Sequence, residues 1–153
     1  MRARTIAVAG LLGLGLLTGS AAADETDAYR GCRHGFDAAV RAYVSATDAK
    51  DVAAMERVLH PGDTIVMPDA VVYPGKEKAM EFFREFFGNP NWTQSFTPIR
   101  TVVDGCDTGF VLMDSLYAQP DGYRSHLLIG LTFTRTHGRW LVLLDQNTRI
   151  PAQ

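Results

Sequence analysis

The acidic residue best placed for proton-transfer chemistry is Asp114, which interrupts a run that alternates apolar and other residues. Such alternation predicts a strand with one buried face. The apolar members of the run are Phe110, Leu112 and Leu116. A four-residue turn over 119–122 would place Asp114 opposite Leu127 on the buried face. Burial raises the pKa of a carboxyl group, which makes Asp114 a candidate catalytic acid or base. A turn longer or shorter by one residue would instead send Asp114 to solvent.

A second polar candidate is Gln146, in a pair of apolar strands near the C-terminus. The strands flank His137-Gly138, a dipeptide typical of a tight hairpin. Pairing across this turn places Ile129 opposite Gln146 on the inner face and turns Asp145 outward. The Gln146 amide can then hydrogen-bond a ligand oxygen, or it can satisfy a neighbouring protein group.

No metal or cofactor site is expected from the residue spacing. The four histidines are dispersed along the chain, with no short-range pair at the spacing of metal ligands. They are His34, His60, His126 and His137. The sequence also has no glycine-rich phosphate loop and no nucleophile elbow.

The first 23 residues have the pattern of a secretory signal peptide. Arg2 and Arg4 precede an apolar stretch over 6–17, and Ala21-Ala22-Ala23 provides a small-residue cleavage signal. The apolar stretch is too short to span a bilayer of about 30 Å. We therefore expect a signal peptide over 1–23 and an exported domain over 24–153, secreted or periplasmic and not held in the membrane after cleavage.

The charge balance of the mature chain argues against some partners. Removing Arg2 and Arg4 from the 15 basic residues leaves 13 against 17 acidic residues, a formal net charge of −4. With no basic run, this balance argues against nucleic acid and anionic membrane.

The two cysteines of the chain are Cys32 and Cys106. In an oxidising compartment they are expected to form one disulfide between the first helix and a turn between later strands. Two free thiols are the alternative. A catalytic cysteine is not expected, because Asp104 and Asp107 beside Cys106 disfavour a thiolate.

The order of predicted elements indicates an α+β fold. Apolar spacing predicts three helices, and turn residues separate the strands of an antiparallel meander. The predicted helices cover about 26–49, a short segment after Asp51, and 76–87; the predicted strands cover 64–67, 70–73, 93–103, 109–118, 123–136 and 139–149. The three helices are expected to cover one face of a curved sheet, which wraps around them and encloses a pocket.

Several short motifs of the chain resemble the nuclear transport factor 2-like (NTF2-like) superfamily. They are YVSATDAKD at 43–51, VMPD at 66–69, YPGKE at 73–77, GRWLV at 138–142 and DQNT at 145–148. This superfamily includes ketosteroid isomerase, the SnoaL-like cyclases and the small DUF4440 proteins. The resemblance covers nearly all of 27–150 and implies the cone-shaped fold, whereas a shared fold does not by itself transfer an activity.

The resemblance also implies site residues. Tyr43 matches the tyrosine through which ketosteroid isomerases donate a hydrogen bond to substrate oxygen, although a tyrosine here can equally be part of the core. Met67 stands where the isomerase has its catalytic aspartate, and Asp69 lies two residues further on. Because Met67 cannot accept a proton, isomerisation by the family mechanism is not expected. Tyr43, Met67, Asp69, Ile129 and Gln146 are the predicted ligand-binding residues.

Three functions are compatible with such a pocket. The preferred hypothesis is an exported protein, or an accessory of a biosynthetic pathway, that binds a small apolar molecule bearing a few oxygens. The first alternative is an isomerase, cyclase or dehydratase in which Asp114 transfers a proton and Tyr43 stabilises an enolate-like oxygen. The second alternative is a homodimeric interaction domain without a ligand, since the resemblance implies pairing through the outer face of the sheet.

Overall fold

The computed structural model describes the backbone of residues 20–151 and the side chains of residues 29–151. The predicted signal segment therefore lies outside the described residues, except for 20–23, which begin the first helix. No helix in the described part of the chain is long and apolar enough to cross a membrane.

The described residues form three helices and one six-stranded sheet. The helices are α1 (Ser20–Ala49), α2 (Val52–Val58) and α3 (Gly75–Gly88); the strands are β1 (Leu59–Val66), β2 (Val72–Pro74), β3 (Thr93–Asp104), β4 (Thr108–Ala118), β5 (Arg124–Thr136) and β6 (Arg139–Arg149). The strand order is β2-β1-β6-β5-β4-β3. All neighbours are antiparallel except β1 and β6, which are parallel. The predicted α+β class, with three helices against a curved sheet, is confirmed, whereas the parallel β1–β6 pair departs from the antiparallel sheet expected.

The short helix α2 begins where the sequence predicts but is followed at once by a strand. The Asp51 carboxylate accepts a hydrogen bond from the Ala54 backbone N–H at 2.9 Å, which caps the helix. The expected strand at 64–67 instead starts at Leu59 and includes Pro61. Pairing with β6 is irregular between Leu59 and Thr64, so Pro61 lies where no regular ladder bond is required.

The core lies between the helices and the concave face of the sheet. Phe36 of α1 is fully buried. The centroid of its ring lies 5.1 Å from the ring centroid of Phe133 and 5.5 Å from that of Trp140. This close packing is possible because the neighbouring position on β4 is Gly109, where a Cβ atom would lie 2.3 Å from the Phe36 ring. Helix α3 contributes buried apolar residues, namely Ala79, Met80, Phe83 and Phe87.

Cys32 and Cys106 form a disulfide that joins α1 to the turn between β3 and β4. Their Cα atoms are 5.4 Å apart, and 74 residues separate them in the sequence. Cys106 has a φ of 63°, which places it in the left-handed region typical of tight turns. The bond therefore ties one end of the helical layer to one end of the sheet.

The last hairpin turns where the sequence predicts, but its register changes within the strands. His137 and Gly138 have φ values of 51° and 77°, as a type I′ turn requires, and Phe133 pairs with Val142. The next pair is Thr132 with Leu144, so Leu143 is an extra, unpaired residue in β6.

This bulge overturns the predicted placement of Gln146. Because side chains alternate between faces, one extra residue moves every later residue of β6 to the opposite face. Asp145 is buried at 3% exposure and Gln146 is exposed, the reverse of the prediction. Ile129 accordingly pairs with Asn147 instead of Gln146.

The predicted placement of Asp114 on the inner face is also wrong. Ala118 pairs with Arg124, so the connection between β4 and β5 has one residue more than the four-residue turn expected. Asp114 therefore lies opposite Leu128 on the outer face, and Met113 is fully buried. The Asp114 Oδ1 atom lies 2.8 Å from Nε2 of His126, in an exposed pair.

Candidate functional site

A cavity of about 220 Å³ lies between α1, α3 and the concave face of the sheet. Its walls are mostly aromatic and aliphatic side chains, with a few polar groups among them. The apolar lining includes Phe82, Phe83, Phe86, Phe96, Leu127 and Ile129. A largely apolar cavity with a few polar groups is typical of a small-molecule site.

The polar centre of this cavity is a hydrogen-bonded pair, Tyr43 and Asp145. The Tyr43 hydroxyl donates to Asp145 Oδ2 at 2.5 Å, and the Asn147 side chain donates to Asp145 Oδ1 at 2.9 Å. Asn147 also donates to the Val66 carbonyl at 3.3 Å, which holds its amide against β1. Each oxygen of the Asp145 carboxylate thus has a donor, and all three side chains line the cavity.

The protonation equilibria of this pair suit proton transfer near neutral pH. Burial raises the pKa of Asp145 to about 6, and the hydrogen bonds from Tyr43 and Asn147 oppose this rise. Asp145 is therefore mainly ionised at pH 7 yet basic enough to accept a proton. Burial, followed by the charge of Asp145, raises the pKa of Tyr43 well above its ordinary value. Tyr43 consequently stays a hydrogen-bond donor.

A second carboxyl group, Asp63 of β1, is buried close to this pair but is not part of the cavity lining. It is fully inaccessible to solvent, and neither carboxylate oxygen has a hydrogen-bond partner of acceptable geometry. Burial and the charge of Asp145 raise the pKa of Asp63 to about 7, while the Thr64 backbone N–H and the charge of Lys76 act in the opposite direction.

The structure places four of the predicted site residues at the cavity and two outside it. Tyr43, Met67, Asp69 and Ile129 line the cavity. Gln146 does not line it, because the bulge at Leu143 turns its side chain outward. Asp114 does not line it either, because the longer turn after Ala118 places it on the outer face. The Asp114 side chain therefore has no access to the cavity, which its predicted catalytic role would require.

The two buried carboxyl groups were not singled out from the sequence. A regular hairpin places Asp145 on the outer face, and only the bulge at Leu143 turns it inward. Asp63 follows Pro61 and Gly62, which predict the end of a helix, although its spacing of two from Ile65 is that of residues on one strand face. In the described part of the chain, no group of three or more His, Cys, Asp or Glu side chains could hold a metal ion.

The chain matches the model of one known protein family. Residues 40–142 match the model of the SnoaL-like domain. The chain belongs to the SnoaL-like family. A comparison with curated proteins finds no match.

Solved structures similar to this SnoaL-like domain have the NTF2-like cone, also called the cystatin-like fold. An uncharacterised protein from Caulobacter vibrioides with a cystatin-like fold has a TM-score of 0.69 at 16% identity, covering 79% of this chain and 91% of that chain. A proposed dehydratase of the NTF2-like family from Streptomyces avermitilis has a TM-score of 0.66 at 16% identity, covering 78% and 96%. A ketosteroid isomerase-like protein from Erwinia carotovora atroseptica has a TM-score of 0.65 at 16% identity, covering 76% and 94%. At these identities the likeness concerns the fold alone, and it shows that this SnoaL-like domain has the NTF2-like, cystatin-like fold.

Proposed function

We propose that this SnoaL-like domain is an acid–base enzyme that isomerises, cyclises or dehydrates a small apolar carbonyl compound. The observation that carries the proposal is the Tyr43–Asp145 pair in the cavity wall, a general base bonded to a hydrogen-bond donor. The fold is compatible with simple ligand binding as well. The buried carboxylate with a pKa of about 6 favours the enzyme over the binding protein preferred from the sequence.

The proposed reaction begins when the Asp145 carboxylate removes a proton from the carbon next to the substrate carbonyl. The electron pair of that C–H bond moves towards the carbonyl oxygen, which becomes an enolate oxygen. Once Asp145 carries the proton, it no longer competes for the Tyr43 hydroxyl, which can donate to the enolate. Asp145 then returns the proton to another carbon, or to a departing hydroxyl group in a dehydration.

Asn147 positions the base in this scheme. It donates to Asp145 Oδ1 and to the Val66 carbonyl, so it holds the carboxylate in one orientation while Oδ2 exchanges its partner. The aromatic lining provides an apolar surface for the body of the substrate.

We further propose that the domain acts after export, as the predicted signal segment 1–23 indicates. The Cys32–Cys106 disulfide supports this proposal, because structural disulfides persist mainly in oxidising compartments. Pairing of two copies through the outer face of the sheet, and the absence of nucleic-acid and membrane partners, stay predictions.

The test of the proposed reaction is enzyme-dependent exchange of substrate protons for deuterium. Small cyclic and aromatic ketones are incubated with residues 24–153 in heavy water, and exchange at the carbon next to the carbonyl is followed by NMR. We expect exchange above the buffer rate, with kcat/KM rising with pH around an apparent pKa of about 6.

Matched variants identify the groups responsible. Asp145→Asn should lower the exchange rate about 100-fold or more, and Tyr43→Phe about 10- to 100-fold. Asp114→Asn is the control, because its side chain lies on the outer face and should leave the rate unchanged. Ketones that bind without exchange above the buffer rate would identify a binding protein instead. Full activity of Asp145→Asn would remove this residue from the mechanism.

A further inference from the structure

We propose that the substrate carries a carboxylate, which Arg149 and Ser125 bind at the mouth of the cavity while the reactive carbonyl lies near Asp145. The inference deepens the proposed function, since it names the substrate class: small apolar keto acids. It rests on the polar groups that line the cavity at a distance from the Tyr43–Asp145 pair.

The inner face of β6 presents these polar groups in a row from the interior to the mouth. Asp145, Asn147 and Arg149 alternate with outward residues, and they are buried, half-buried and exposed in that order. Arg149 lies four positions after Asp145 along the strand, a Cα distance of roughly 14 Å. A ligand lying along this row would meet the base at one end and the guanidinium group at the other.

The neighbouring strand β5 adds a hydroxyl group beside the guanidinium. Arg149 pairs with Leu127, and Ser125 is the next inward residue along β5. The Ser125 side chain lines the cavity and is only 8% exposed, yet its Oγ atom has no hydrogen-bond partner. Buried hydroxyl groups are normally paired, so an unpaired one in a cavity wall is available to a ligand.

The charges of the lining favour an anion at this end. Arg149 is the one cation among the described residues that line the cavity, whereas Asp69 and Asp145 are acidic. Within the described part of the chain, no hydrogen bond or ion pair engages the Arg149 guanidinium group, including any ion pair with Asp69. A guanidinium group matches the two oxygens of a carboxylate, and the Ser125 hydroxyl can donate to one of them.

The other lining residues indicate what kind of carboxylic acid the cavity would bind. Apart from Asn147, which lies between Asp145 and Arg149 on β6, much of the cavity lining is apolar, with Phe83, Phe86 and Ile129 among its residues. A substrate that fills this space therefore has an apolar chain or ring between its carboxylate and its reactive carbonyl. An acid of this shape would direct its carbonyl group towards the Tyr43 hydroxyl.

The experiment compares an acid with its uncharged amide as binding probes. Titration calorimetry measures the affinity of residues 24–153 for 4-phenylbutyrate and 4-phenylbutyramide, neither of which can react. We expect the acid to bind about five- to tenfold more tightly than the amide. Arg149→Gln should abolish this preference, and Ser125→Ala should reduce the affinity for the acid by about two- to fivefold.

Two control variants separate this proposal from the proposed reaction. Arg84→Gln removes an exposed arginine of α3 that does not line the cavity, and it should keep the preference for the acid. Asp145→Asn should also bind the acid, even where deuterium exchange is lost. Acid binding by a protein that catalyses no exchange would leave the carboxylate site in place and overturn the reaction only. Equal affinity for acid and amide, no binding of the acid at millimolar concentration, or a preference that survives Arg149→Gln would overturn the carboxylate site.

Discussion

Replacing Asp63 with asparagine should make the stability of the domain much less dependent on pH. Asp63 is fully buried without a hydrogen-bond partner, and its pKa in the folded protein is about 7, against 3.8 for an ordinary aspartate. A raised carboxyl pKa means that the folded state holds the proton more tightly than the unfolded chain does. The protonated group therefore stabilises the fold below about pH 4, and this stability is lost as the pH rises to about 7.

The magnitude follows from the two pKa values. A rise from 3.8 to about 7 corresponds to about 4 kcal/mol between the protonated and ionised states. Water that reaches the ionised carboxylate reduces this figure, so we expect Asp63 to lower the free energy of unfolding by about 2–4 kcal/mol between pH 4 and pH 8. In Asp63→Asn this loss disappears. The raised pKa of Asp145 leaves a smaller decline of the same sign.

The assay is thermal and urea-induced unfolding of the wild type and Asp63→Asn at pH 4, 6 and 8. The pH-dependent loss in the midpoint should be at least about 6 °C smaller in the variant, from about 3 °C per kcal/mol for a domain of this size. Asp48→Asn, an exposed aspartate of α1, is the matched control and should follow the wild type. A wild-type stability that is flat or rises from pH 4 to pH 8, or equal slopes in wild type and Asp63→Asn, would refute the reasoning.

The remaining predictions concern the framework of the fold. Reducing the Cys32–Cys106 disulfide should lower the free energy of unfolding by about 2–4 kcal/mol, because the bond closes a long loop in the unfolded chain. Urea unfolding with and without a reductant measures this change, and equal midpoints would contradict the prediction. Gly109→Ala should destabilise the domain by about 1–3 kcal/mol through collision with Phe36. Gly31→Ala, in α1 with open space around it, should instead stabilise by about 0.5–1 kcal/mol, so two changes of the same sign in thermal unfolding would count against this account.

Part of the site was predictable because it depends on helix spacing and on short motifs. The apolar periodicity of α1 predicts the inner face that carries Tyr43, and the resemblance to the NTF2-like superfamily indicated Met67 and Asp69 as neighbours. Those residues lie at the cavity. The orientation of Asp145 could not be predicted, because it depends on how β5 and β6 pair. Asp63 could not be placed, because Pro61 and Gly62 predict a helix end where the chain forms β1.

The sequence by itself determined the local features of the protein. Examples are the Asp51 cap of α2, the type I′ turn at His137-Gly138 and the approximate limits of the longer strands, all of which depend on neighbouring residues. Only the tertiary structure decided the strand registers. The bulge at Leu143 and the longer turn after Ala118 are features of how whole strands pair, and each shift of one residue exchanges the two faces of a strand. For that reason Asp145 lies in the cavity.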